Sequence, residues 1–136
     1  MSNSGYLING KRKNMAKVFL ISGAILSFLF VALGAFGAHS LRNILDSYGQ
    51  SIWEKAVLYH MIHAIALLIV GFLQSYFKEI DFSWAGYFFI AGIVLFSGSL
   101  YLLAVTQVKA LGMITPLGGL CFLAGWLFLA FKFFKV

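Results

Sequence analysis

The sequence predicts an all-α fold, an integral membrane bundle of four spanning helices. Three observations carry that expectation. Hydrophobic residues make up 62% of the 136 residues and charged ones only 10%, against roughly 45–50% and about 25% in soluble domains. Too little polar surface remains to cover a water-facing core. The apolar residues fall in four runs, each of about 20 residues or more, which is what a helix needs to cross roughly 30 Å of hydrocarbon. The cations gather at the ends of those runs, where topology-setting charges sit in membrane proteins. Barrel strands would need only about ten residues of alternating polarity, and the runs show no alternation.

Residues 1–15 read as a basic cytoplasmic N-terminal extension and 16–136 as the four-helix transmembrane domain. The first span covers 16–38. KRK followed by an apolar run ending in Ala35-Phe36-Gly37 has the outline of a cleavable signal. About 20 apolar residues exceed the 7–15 of a signal core, however, and the run reads as a span. Segment 41–55, LRNILDSYGQSIWEK, carries Leu41, Ile44, Leu45, Ile52 and Trp53 in a pattern that predicts a short amphipathic piece at the outer surface. The second span covers 56–77. The KEID stretch at 78–81 predicts a tight hairpin, which makes the second helix and the third, 82–105, antiparallel neighbours. In the fourth run, 112–134, Thr115-Pro116 reads as an N-cap and first helical position. That leaves Gly112-Met113-Ile114 as non-helical backbone at shallow membrane depth.

Orientation follows from the ten Lys and Arg residues. Lys11, Arg12, Lys13, Lys17, Lys78, Lys132 and Lys135 lie on one side; Arg42, Lys55 and Lys109 lie on the other. Seven against three puts both termini in the cytoplasm. Tyr48, Trp53, Tyr59, Tyr76, Trp84 and Tyr101 lie near span ends and suit interfacial belts. The net charge of +6 sits at the span flanks instead of on a face interleaved with exposed aromatics, which argues against nucleic-acid binding. A single cysteine, Cys121, excludes a disulfide framework.

Small residues recur at helix-face spacing: Gly23, Ser27, Gly34 and Ala38, with Gly37 beside them, in the first span; Ala85, Gly92 and Ser99 in the third; Gly118, Cys121 and Gly125 in the fourth. Such faces let helix backbones approach closely in lipid. They can serve the bundle itself, a membrane-protein partner or a homo-oligomer, and the bilayer is the partner common to all three.

The ionisable groups inside the spans raise the functional question, because each costs about 2.5–3.5 kcal/mol at the bilayer centre on insertion scales. His60 and His63 are three apart on one face of the second span, with Leu58, Ile62, Ile65, Ile69 and Phe72 opposite, suited to lipid. His39, Glu54, Tyr59, His63, Tyr101 and Thr115 are all expected near the outer surface, forming a candidate polar cluster or ligand pocket. The groups can hydrogen-bond one another and interfacial water, hold a lipid headgroup or small amphiphile, or bind a metal or haem through His60 and His63 with His39 or Glu54. No GxSxG, HExxH or carboxylate pair marks a catalytic centre, and no cofactor is expected.

Together, GAFGAH (34–39), WEKAVLYHMIH (53–63), FSGSLY (96–101) and TPLGG with GW (115–119 and 125–126) resemble the motifs of a family of small bacterial four-helix inner-membrane proteins. It is the YgdD/YwdK-like group, a domain-of-unknown-function family. The resemblance runs from about residue 17 to near the C-terminus. It implies a multi-pass plasma-membrane protein and brings no activity or cofactor with it. The positions it singles out are Gly34, Gly37, His39, Tyr59, His63, Ser97, Gly98, Tyr101, Thr115, Pro116, Gly119 and Trp126. His60 stands where the resemblance leads one to expect Gln, so a metal site needing both imidazoles would not be a family property. The expectation is a non-enzymatic accessory or binding protein. A small transporter or permeability factor is the alternative, and a membrane enzyme using His39 or His63 the third reading.

Overall fold

In hydrocarbon every backbone N–H and C=O must find its partner within the segment, and a helix is the arrangement that allows this for an isolated run. The computed structural model describes the chain from Asn3 to Val136, with side-chain surroundings from Leu7 onward. Among these residues there are helices and turns and no strand. Helix α1 runs Asn3–His39, α2 Ser47–Tyr76, α3 Ser83–Thr106 and α4 Thr115–Phe133. All four spans are long and apolar enough to cross a membrane. Each helix packs on the next in chain order, giving an up-down-up-down bundle.

Three boundaries differ from expectation. The basic stretch before residue 16 continues α1, whose 37 residues reach about 55 Å at 1.5 Å per residue. No separate amphipathic piece occupies 41–55. Asp46 accepts a 2.7 Å bond from the Gly49 amide and caps α2, so residues 47–55 are its first turns. Leu41 and Leu45, in the turn before it, are buried in the bundle instead of lying on the membrane surface. Thr115 is the first residue of α4 and Ile114 its cap; the Thr115 hydroxyl bonds Ser99 instead. Lys109–Met113 form a short 3-10 turn, so Gly112 and Met113 are not irregular backbone. The 78–81 connection is the tight hairpin expected, with the Gln74 side chain accepting the Phe82 amide at 2.7 Å.

Helix α3 carries a π turn over Ile93–Ser97, an insertion of one residue into the helical register. Ser97, its last residue, and Tyr101 face α2 while Ser99 faces α4.

Two cores fill the bundle. At the end bearing the termini, Phe19, Leu67, Val70, Phe82 and Phe89 are fully buried, with Phe122 and Leu129 of α4 beside them. At the opposite end Leu41, Leu45, Ile52, Trp53, Leu100 and Leu103 form a second cluster. Glycines set the helix spacing. A methyl group at Gly23 would lie 2.8 Å from the Leu68 side chain, and one at Gly125 would lie 2.6 Å from the Phe89 ring. At Gly118 it would meet the Phe96 backbone, 2.7 Å from Cα. Gly37 receives Trp53, Gly92 receives Phe122, and Gly71 and Gly86, outside the expected stripes, receive Leu20 and Phe19. Ala38 is exposed, and Gly34 meets Val57 only at an ordinary 3.4 Å. The face Leu58, Ile62, Ile65, Ile69 and Phe72 is exposed, as expected of a lipid-facing side.

Candidate functional site

Three residues along a helix amount to about 60° around its axis, enough to send two side chains into different seams. His60 and His63 are both buried, yet they do not form a pair. His60 turns toward α1 and α3. Its Nδ1 lies 3.1 Å from the Tyr101 hydroxyl, and its ring meets Phe30 edge-on. His63 turns toward α4 and stacks flat on Phe122.

The partners of His63 define its protonation. A carbonyl oxygen only accepts, so Nδ1, 2.7 Å from the Tyr59 carbonyl, carries the proton. Nε2 then presents the lone pair that accepts the Trp126 indole N–H at 3.0 Å. Both ring nitrogens are engaged, and the imidazole is held as a neutral acceptor between two helices. His60 differs. Its Nε2 is buried and makes no hydrogen bond.

Several other polar side chains at this end pair across helix seams, while the buried Ser27 Oγ of α1 has no partner. The Ser97 hydroxyl donates to the Ala56 carbonyl of α2 at 2.8 Å, and Ser99 and Thr115 join α3 to α4 at 2.8 Å. Trp53 Nε1 donates to the Leu33 carbonyl of α1 at 3.0 Å, and the Trp53 ring packs on Tyr101 with centroids 4.7 Å apart. Each seam of this region therefore has at least one interhelical hydrogen bond. Trp53 is buried and Tyr101 is half-buried against it. Tyr48, Tyr76 and Trp84 are exposed near helix ends.

The six residues expected to cluster do not form one group. Tyr59 and His63 stack together, Tyr101 serves His60, and Thr115 serves Ser99. His39 and Glu54 are exposed. Since Gly37 faces Trp53 across the α1–α2 seam, His39 stands more than two helical turns from His60. Among the described residues, no three of His, Cys, Asp and Glu gather as a metal would require.

A groove of about 490 Å³ opens between α1 and α2 at this end. Gly34, Gly37 and Ala38 leave one wall low; Trp53, Val57, Leu58 and Met61 form the other. Arg42, Gln50 and Glu54 line the end nearest the turn. From Gln50 to Met61 the α2 wall rises about 16 Å, changing from polar to apolar along the way. Sequence reasoning singled out Glu54, Gly34, Gly37 and Ala38, named Arg42 only as an outer-side charge, and did not single out Gln50. The legible signal was Asp46, an N-cap residue that starts α2 early and brings Gln50 and Glu54 onto one helical face.

Comparison with known proteins agrees with the architecture. The model of a family described as "Protein of unknown function (DUF423)" matches residues 33–119. The chain belongs to the DUF423 family. The UPF0382 membrane protein YwdK of Bacillus subtilis is 53% identical over 113 residues, covering 82% of this chain and 91% of that protein. A UPF0382 membrane protein of Staphylococcus haemolyticus is 50% identical over 119 residues, 88% of this chain and 97% of its own length. One from Staphylococcus saprophyticus is 48% identical over 120 residues. No solved structure matches the chain. The DUF423 segment begins at Leu33, whose carbonyl receives Trp53, and ends at Gly119, so it contains the groove and the His60–Tyr101 and Ser99–Thr115 bonds. The relatives are named membrane proteins, and with four apolar helices this DUF423 protein is a multi-pass membrane protein.

Proposed function

We propose that this DUF423 protein is a non-enzymatic binding protein of the plasma membrane that holds a lipid or small amphiphile in the α1–α2 groove. Both termini would lie in the cytoplasm. The observation that carries the reading is the direction of the groove's polarity. Arg42, Gln50 and Glu54 stand at the turn end and Val57, Leu58 and Met61 toward the middle of the bundle, the order in which a lipid presents headgroup and chain. His63 supports it: both of its ring nitrogens are engaged within the protein, which leaves neither free to serve as a base. The packed aromatic core around Phe19, Phe82 and Phe89 speaks against a hydrated path through the bundle.

Purification in mild detergent followed by native mass spectrometry tests the reading. One tightly retained lipid per chain is expected, lost in Gly34→Leu. The Gly34 position has room for a methyl group, while a leucine side chain would extend into the groove. Absence of a retained lipid, or retention unchanged by Gly34→Leu, would overturn the reading. For the topology, a cysteine introduced at Ser4 or Lys135 should react with membrane-impermeant maleimide only after the cells are opened.

A further inference from the structure

The groove's polar end carries one cationic donor group and two acceptor groups. Gln50 uses its amide nitrogen within the protein, donating to the Arg42 carbonyl at 2.8 Å and the Leu45 carbonyl at 3.0 Å. That ties the 40–46 turn to α2 and leaves Oε1 as an acceptor. Trp53 likewise spends its N–H on Leu33, so its ring is an apolar wall. What remains for a ligand is the Arg42 guanidinium, a donor, with the Glu54 carboxylate and Gln50 Oε1 as acceptors.

We infer that the groove recognises a zwitterionic, amine-bearing phospholipid: the phosphodiester on Arg42, the primary ammonium on Glu54 and Gln50, and one acyl chain along Val57, Leu58 and Met61. This rests on the groove being a lipid site. A phosphodiester accepts from guanidinium in paired geometry. Two carbons further on, a primary ammonium has three donors for a carboxylate and an amide oxygen. An anionic lipid such as phosphatidylglycerol satisfies Arg42 but sets a hydroxylated, uncharged head against Glu54, with its net negative charge unbalanced. Phosphatidylcholine carries the positive charge but no N–H to donate. Phosphatidylethanolamine meets all three groups.

The test is headgroup preference. Protein reconstituted in nanodiscs with equal amounts of phosphatidylethanolamine, phosphatidylglycerol and phosphatidylcholine is re-extracted, and the retained lipid is identified by mass spectrometry. Wild type should retain phosphatidylethanolamine above the other two. Glu54→Gln should still retain one lipid while its ethanolamine-over-glycerol preference falls about threefold to fivefold, the size expected of a partly exposed ion pair. Arg42→Gln should weaken retention of all three. Glu54 and Arg42 are exposed or at the groove mouth, so neither change disturbs the cores. A retained lipid with no headgroup preference, or a preference unchanged by Glu54→Gln, overturns this inference while leaving the lipid groove standing. Retention lost in Gly34→Leu but unchanged in Arg42→Gln likewise overturns the headgroup assignment, whereas retention unchanged in Gly34→Leu overturns the groove itself.

Discussion

The two ends of the bundle are held together by different means. At the termini end, rings and aliphatic side chains enter glycine notches: Phe19 at Gly86, Leu20 at Gly71, Phe89 at Gly125. Most polar contacts there lie at the hairpin, with Gln74 accepting the Phe82 amide, Asp81 accepting the Ser83 amide at 2.9 Å, and Arg12 donating to the Lys78 carbonyl; the Tyr87 hydroxyl also donates to the Met15 sulfur across α1 and α3. At the turn end, hydrogen bonds cross every seam and the packing leaves a groove beside them. Lipid tails are as apolar as leucine, so helices gain nothing from excluding them; close contact and interhelical hydrogen bonds must hold the bundle. Close contact seals the termini end. Directional bonds at the other end hold helices at set points, which leaves room between them for a cavity.

The sharpest way to break this contrast lies at Gly118, where the two regions meet. Gly118→Val should cost about 3 kcal/mol or prevent folding, at the upper end for overpacking because the atoms met are Phe96 backbone. Gly34→Ala, in a similar small-residue stripe, should change stability by no more than about 0.5 kcal/mol, since its added carbon makes ordinary contact. Reversible unfolding in mixed micelles compares them. Next in size, Trp126→Phe leaves the buried Nε2 of His63 without a donor and should cost about 1–2 kcal/mol. Adding His63→Leu should recover part of that loss; no recovery would mean that the indole acts by packing alone.

Ser97→Ala removes one seam bond, to Ala56, and should cost about 0.6 kcal/mol, the average for interhelical hydrogen bonds in a membrane. A loss several times larger would make Ser97 a holder of the π turn. The smallest effect belongs to Asp81. Burial pushes its carboxyl pKa up, but the bonds from Ser83 and the charges of Arg12 and Lys132 outweigh burial and hold it below the usual carboxylate range. A carboxyl depressed on folding contributes stability above its unfolded pKa, about 3.9, and loses it as pH falls through the lower folded value. Asp81→Asn should therefore be slightly less stable than wild type at neutral pH, and the difference should close as pH drops below about 3.9. An equal difference at all pH values would assign the effect to the Ser83 bond rather than to charge. Solvent screening keeps this contribution small.

Much of the cluster's content was legible and its geometry was not. His60 and His63 read correctly as buried residues on the protein-facing side of α2, because the period of that helix is unbroken and its lipid face is uniformly apolar. Their separation into two seams depends on which neighbours arrive at 60° to each other, and those neighbours, Tyr101 and Trp126, come from helices 41 and 63 residues away. Thr115 was recognised as polar and placed at a helix start. Its hydroxyl was assigned to capping because local bonds are the ones a single segment can reveal, whereas Ser99 reaches it only through the α3–α4 seam. The start of α2 lay within reach of the sequence, since Asp46 before a helical pattern is a start signal. The polar residues of 47–55 obscured the continuity of that helix.

Composition and periodicity alone determined that this protein crosses the membrane with four helices, which face of α2 meets lipid, and where the hairpin between α2 and α3 turns. These follow from a cost every residue pays locally: backbone polar groups must be satisfied and apolar side chains must meet a non-aqueous neighbour. Tertiary structure decided the pairing of the histidines, which glycines admit a ring, and the groove whose polar end holds Arg42, Gln50 and Glu54. Those depend on the distance and rotation between helices, and in lipid that geometry is set by contacts between segments far apart in the chain.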